Sequence, residues 1–167
     1  AGFDVTGWGG GLNAKASREK FTRVEYFLDA FHQKTGRSAI VIGWSLGGLF
    51  ARVLAHERPE LVQMVMTLGT PFSGDRRANN AWRVYEALND HTVDNPPFST
   101  SISAKPAAHT IAIWSPTDGI ISPECAAGSS DERDAEYAVP ASHLEFATSK
   151  PAIARILDIL RLECDRL

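Results

Sequence analysis

The chain has little cysteine, no long apolar run and no excess of positive charge, and each shortage removes a class of function. Of its 167 residues only Cys125 and Cys164 are cysteines. Two thiols cannot build a disulfide scaffold, and without a CxxC pair nothing points to a zinc site. They read as two unlinked thiols, a single bridge being the alternative. No apolar stretch reaches the roughly 18 residues that a membrane-spanning helix needs. Lys+Arg number 17 against 20 Asp+Glu, a net charge of −3. That is not the basic footprint of a nucleic-acid binder. No internal repeat and no low-complexity block occurs. The densest glycine cluster, Gly7-Trp8-Gly9-Gly10-Gly11, has Leu12 where a GxGxxG motif needs its third glycine. It also lacks the Lys-Ser/Thr pair of a phosphate-binding loop, so it reads as a glycine-rich turn. No cofactor or metal is expected. The opening residues, Ala1-Gly2-Phe3, include no initiator Met and no charged-then-apolar leader pattern. Localisation is left open, with the cytoplasm favoured.

What is present is an ordinary globular composition, 44% hydrophobic and 22% charged. A chain near this length can bury roughly 68–70% of its unfolded surface in a single core. Apolar residues Phe21, Val24, Phe27, Leu28 and Phe31 recur at helical steps between Ser17 and Lys34, with Ser17 placed to cap the start and Gly36 after the end. Ala39-Ile40-Val41-Ile42 is a short β-branched run and predicts a strand buried on both faces. Leu46 to Glu57 predicts a second helix, closed by Pro59. Val62–Leu68 and His109–Trp114 predict two further strands, Glu136–Val139 a short fourth one, and Ser149 to Leu162 a final helix with Pro151 in its first turn. Strands alternating with helices predict an α/β domain over residues 1–167: a mostly parallel sheet with helices on both faces. Residues 72–108 break the rhythm. They hold one weakly amphipathic segment, Trp82 to Leu88, amid polar residues and prolines, and read as a lid-like insertion.

One motif carries chemistry. Gly43-Trp44-Ser45-Leu46-Gly47-Gly48 is GxSxG set between a predicted buried strand and a predicted helix. In that context the serine sits on a sharp strained turn that lifts its Oγ above the sheet edge. Gly43 and Gly47 are expected to leave room across the turn, and Gly48 to let the helix pack close to neighbouring strands. The Leu46 N–H, at the helix start, is expected to face a developing oxyanion. A serine at its ordinary pKa needs a base. This arrangement takes its partners in the order Ser, Asp or Glu, His. Of five histidines, His143 alone follows the fourth strand in a loop before the last helix, on the edge where open parallel sheets carry their sites. The acid expected from the preceding loop is Asp118, in Ser115-Pro116-Thr117-Asp118-Gly119, with Glu124 as its competitor.

These residues carry a resemblance. Gly43-Trp44-Ser45-Leu46-Gly47-Gly48 with Ala51-Arg52, Thr67-Leu68-Gly69-Thr70-Pro71-Phe72, Ser115-Pro116-Thr117-Asp118-Gly119-Ile120-Ile121 and Ser142-His143-Leu144 occur in the order of the α/β-hydrolase fold. Within it, the chain resembles bacterial lipase-like hydrolases, also labelled predicted acetyltransferases or hydrolases. The resemblance implies Ser45 as nucleophile, Asp118 as acid and His143 as base. It also matches Gly2-Phe3-Asp4-Val5 to the strand upstream of the elbow helix, with Gly7-Trp8-Gly9 as its loop. In that fold several strands precede this point, one supplying a second oxyanion donor. The expectation is therefore an N-terminally truncated sheet, its edge exposed at the Ala1 end or covered by a missing segment or a partner chain. The implied activity is serine hydrolysis of carboxylic esters, or acyl transfer. The alternative is a hydrolase-fold module that binds an apolar ligand or partner without turnover. Trp44 and Leu46 flank the serine, and Trp82 and Tyr85 of the insertion are candidate substrate-binding residues. Together they favour a small acyl-ester or lipid-like substrate. The insertion balances four basic residues (Arg76, Arg77, Arg83, Lys105) against four acidic ones (Asp75, Glu86, Asp90, Asp94), so it offers no charged anchor.

Overall fold

The structure, a computed structural model, describes residues 2–9, 17–74 and 102–167. Ser17 accepts a hydrogen bond from the Lys20 N–H at 3.2 Å and starts helix α1 (Arg18–Thr35), which Gly36 ends in the left-handed conformation at φ 67°. Strand β1 (Ala39–Trp44) leads through Ser45 into α2 (Leu46–Glu57). Next come β2 (Val62–Leu68), β3 (His109–Trp114) and the short helix α3 (Pro123–Ala127). Strand β4 (Ala135–Ala138), the single-turn α4 (Glu145–Thr148) and α5 (Lys150–Cys164) complete the described elements. The fourth strand and final helix each sit within two residues of their expected bounds. The composition and periodicity did not reveal α3 and α4, which are too short to carry a helical stripe.

The four strands run parallel in the order β1-β2-β3-β4. Alternate side chains feed two cores, one on each face. Val65 and Ala112 pack with Phe21, Leu28, Phe50, Val53 and Leu54 of α1 and α2. Met64, Met66, Ile111 and Ile113 pack on the opposite face with Ile156, Ile159 and Leu160 of α5. The α/β class with helices on both faces is thus realised. Cys125 and Cys164 are not bridged. Among the described residues no helix is long and apolar enough to cross a membrane.

Two expectations are corrected. Strand β1 is not buried on both faces: it is the outermost strand among the described residues, mostly half-buried, with Ile42 47% exposed. A run of Ala-Ile-Val-Ile reads alike in a central and an edge strand, and only pairing decides which it becomes. Nor do Gly2–Val5 form a strand. They have no ladder partner, and Val5 is 84% exposed, although Phe3 leans on the α5-side core.

Residues 75–101, including Trp82, Tyr85 and the segment to Leu88, lie outside the described residues. The two ends of the 72–108 segment are described, and Arg52 of α2 ties them together. Its guanidinium, fully buried, stacks over Phe72 with its carbon 4.1 Å from the ring centroid. Nε donates to the Ile102 carbonyl at 2.7 Å, and Nη2 to the carbonyls of Ser103, Ala104 and Glu132 at 2.9–3.0 Å. Burial pushes the Arg52 pKa down to about 10, against the opposing charge of Glu132.

Candidate active site

Strand β1 ends at Trp44, and the next residue takes a conformation that L-residues avoid. Ser45 has φ 53° and ψ −122°, and among the described residues no other non-glycine has a positive φ. The surrounding backbone holds it there. The Ser45 N–H donates to the Leu68 carbonyl at 2.9 Å, while its own carbonyl accepts from the Gly48 N–H and the Thr70 hydroxyl, both at 3.0 Å. Two glycines make the turn possible. A Cβ at Gly43 would come within 2.3 Å of the Gly47 carbonyl oxygen, and one at Gly48 within 2.0 Å of Thr70 Oγ1. Gly47 departs from expectation: a Cβ there meets nothing within 4 Å, so its side of the turn is open. The crowding is between the Gly43 side-chain position and the Gly47 backbone.

Asp118 and His143 meet at the same carboxyl edge of the sheet. Asp118 follows β3 and His143 follows β4, whose last residues pair as Trp114 with Ala138. Both side chains are buried, and His143 Nδ1 lies 2.8 Å from Asp118 Oδ2. The His143 N–H also donates to the Asp118 carbonyl at 2.9 Å. The other carboxylate oxygen, Oδ1, accepts from the N–H groups of Ile120 and Ile121 at 3.0 and 2.7 Å. Burial alone would raise the Asp118 pKa. The hydrogen bond with His143, with those from Ile121 and Ile120, outweighs it and holds the carboxyl below its ordinary value. A charged acceptor on Nδ1 leaves Nε2 as the ring nitrogen able to take a proton. The alternative acid, Glu124, lies in α3, and it is Asp118 that binds the imidazole.

Trp44 connects this pair to the elbow. Its indole N–H donates to the His143 carbonyl at 3.0 Å, and the two rings lie 5.5 Å apart, tilted by 42°. Gly69 makes room for the acid at φ 51°, where a Cβ would sit 2.9 Å from Asp118 Oδ2 and from the Phe146 ring. The role of Gly69 was not legible beforehand. A Gly-Thr-Pro at a strand end reads as a turn, and nothing local announces a carboxylate from residue 118 behind it. The other described histidines serve elsewhere: His32 contacts the Arg37 carbonyl, His56 the Ala104 carbonyl and His109 the Glu163 carboxylate. Among the described residues no three His, Cys, Asp or Glu side chains converge as a metal site.

A family model described as "alpha/beta hydrolase fold" matches residues 1–107. The chain belongs to that family. No curated protein matches it. Solved structures of this fold superpose on most of the chain. A monoacylglycerol lipase from Paleococcus ferrophilus is 15% identical with a TM-score of 0.56, covering 85% of this chain and 74% of its own. The lipase BlEst2 from Bacillus licheniformis, in its mature form, is 15% identical with a TM-score of 0.60, covering 89% and 76%. MGS-MChE2, an alpha/beta hydrolase from the metagenome of Mar Chica lagoon sediments in Morocco, is 22% identical with a TM-score of 0.55, covering 87% and 71%. At such identities the likeness is one of fold. In this α/β-hydrolase-fold chain the matched stretch ends before Asp118 and His143, so the pairing of those two rests on the geometry described above.

Proposed function

We propose that this α/β-hydrolase-fold protein is a serine hydrolase of carboxylic esters, working through an acyl-serine intermediate. The observation that carries the reading is the buried Asp118–His143 pair, joined through Trp44 to the strained Ser45. Ser45 Oγ attacks the ester carbonyl while His143 Nε2 takes the serine proton. The Leu46 N–H, first of α2, donates to the developing oxyanion, since the first amides of a helix have no partner within it. The tetrahedral adduct collapses, the C–O bond to the alcohol breaks, and His143 returns the proton to the departing oxygen. Water then attacks the acyl-serine with His143 as base. The acid leaves and Ser45 regains its proton. Asp118 keeps its charge throughout, orienting the imidazole and stabilising the imidazolium. An alcohol or amine in place of water makes the same cycle an acyl transfer. No cofactor enters. The apolar flank offered by Trp44 and Leu46 favours a small acyl ester or lipid-like substrate, and Trp82 and Tyr85 are proposed to add to it.

A fluorophosphonate probe tests the reading. Wild-type protein is expected to label, and Ser45→Ala to lose both labelling and turnover, by on the order of 10⁴-fold or more. A chain-length series of nitrophenyl esters then gives the acyl preference. Folded wild-type protein that never labels would instead favour a non-catalytic binding module.

A further inference from the structure

The loops that carry Asp118 and His143 come from different strands, and one buried hydroxyl joins them. Ser115 directly follows β3 and is 1% exposed. Its Oγ lies 2.6 Å from the Ala141 carbonyl oxygen and accepts from the Ala141 N–H at 3.0 Å. It also accepts from the Thr117 N–H at 3.1 Å and lies 3.2 Å from Thr117 Oγ1. A hydroxyl offers one donor and two acceptor sites. The Ala141 carbonyl takes the donor, and the two backbone N–H groups fill the acceptors. Thr117 is the residue before Asp118, and Ala141 lies two before His143.

We propose that Ser115 is a positioning residue for the Asp118–His143 pair, fixing the separation of the two loops so that the imidazole meets the carboxylate at hydrogen-bond distance. The proposal rests on the serine-hydrolase reading for its kinetic consequence, but the geometry it asserts does not. Ser115 has no bond to either pair member's side chain. It acts through backbone, on the residues that set where those side chains begin. The Ser115→Ala change leaves two N–H groups and a carbonyl without their partner at a buried junction, and of the bonds described between the loops leaves the His143 N–H to the Asp118 carbonyl and the His143–Asp118 side-chain bond to hold them. A displacement of an ångström at such a site costs on the order of a hundredfold in rate.

The test combines kinetics with proton NMR of the intact chain. In wild type the His143 Nδ1 proton shared with Asp118 is expected as a far-downfield resonance, assigned by its loss in Asp118→Asn. In Ser115→Ala that resonance is expected to broaden away or move, while kcat falls about 10- to 100-fold and KM stays within about twofold. Ser115→Thr, which keeps the hydroxyl, is expected to recover the resonance and most of kcat. If Ser115→Ala is too unstable to study, Ser115→Cys, close in size but a weak donor, is read in the same way. A variant that loses thermal stability yet keeps both the resonance and kcat overturns the proposal and leaves Ser115 merely structural. Absent turnover and labelling in a wild type that shows the resonance would instead defeat the serine-hydrolase reading, with the resonance still testing the loop geometry.

Discussion

At the scale of single residues, the site is built by choosing where side chains are missing. Gly43, Gly48 and Gly69 each stand where a Cβ would collide with backbone, with Thr70 or with Asp118 and Phe146. The strain at Ser45 is held by three backbone or hydroxyl bonds rather than by its own side chain. Asp118 is placed so that one oxygen is saturated by backbone N–H groups and the other is left for His143. Replacing it by Asn keeps the shape but can present an amide N–H to Nδ1 and favour the wrong imidazole tautomer. We expect Asp118→Asn to fold and to lower kcat by about 10⁴-fold in ester hydrolysis, with little change in KM. A loss of less than about tenfold would show that another group orients the imidazole.

At the scale of elements, the sheet is secured in two places. At the carboxyl edge, the loops after β3 and β4 are tied by Ser115 and by the Asp118–His143 pair. Elsewhere, the fully buried Glu163 of α5 gathers His109 at the start of β3, Tyr137 of β4 and Arg166. His109 Nε2 lies 2.7 Å from it, the Tyr137 hydroxyl donates to it, and Arg166 Nη1 donates at 2.5 Å. Burial opposes ionisation of Glu163, but the bonds from Tyr137 and His109 and the charge of Arg166 prevail and hold its pKa below the usual glutamate value. Helix α5 packs on the sheet face that carries Met64, Met66, Ile111 and Ile113, so this anchor matters to the fold and not to the proposed chemistry. Glu163→Ala removes the shared partner of the half-buried Tyr137 and His109 and is expected to cost about 1–2 kcal/mol in denaturant unfolding. Labelling of Ser45 in the surviving folded fraction is expected to persist, because Glu163 has no hydrogen bond to Ser45, Asp118 or His143 and binds His109, Tyr137 and Arg166 instead. An equal loss of labelling per folded molecule would contradict that separation.

For the whole molecule, the pH dependence of stability follows from these carboxylates. Asp118, Glu132, Asp134 and Glu163 all have folded-state pKa values below their ordinary ones. A depressed carboxyl stabilises the fold above its unfolded pKa, about 4, and that contribution is lost as pH falls through the folded value. Stability is therefore expected to be flat in these groups from neutral pH down to about 5 and to drop below about 4. Thermal unfolding across that range checks it. Glu163→Gln should show a shallower acid dependence than wild type, and an unchanged slope would contradict the assignment.

Much of this molecule was legible from local pattern. Helices α1, α2 and α5 and strands β2 and β3 follow from periodicity and caps, whose physics acts over a few residues. The elbow at Ser45 follows from turn sterics within six residues, Gly43 to Gly48. The order Ser45, Asp118, His143 singled out one histidine among five. Only tertiary structure decided the rest. The exposure of Ile42 depends on which strands flank β1, information that no alternation within Ala39–Trp44 contains. The place of Gly69 beside Asp118, of Ser115 against Ala141 and of Arg52 between Phe72 and Ile102–Ala104 depends on contacts between residues 20 to 52 positions apart. Such contacts exist only once the parallel register of β2, β3 and β4 brings their carboxyl ends into line. The sequence alone thus determined the candidate residues Ser45, Asp118 and His143 and the turn at Ser45. Tertiary packing decided their distances, because a hydrogen bond between loops of two strands is set by the sheet that carries them.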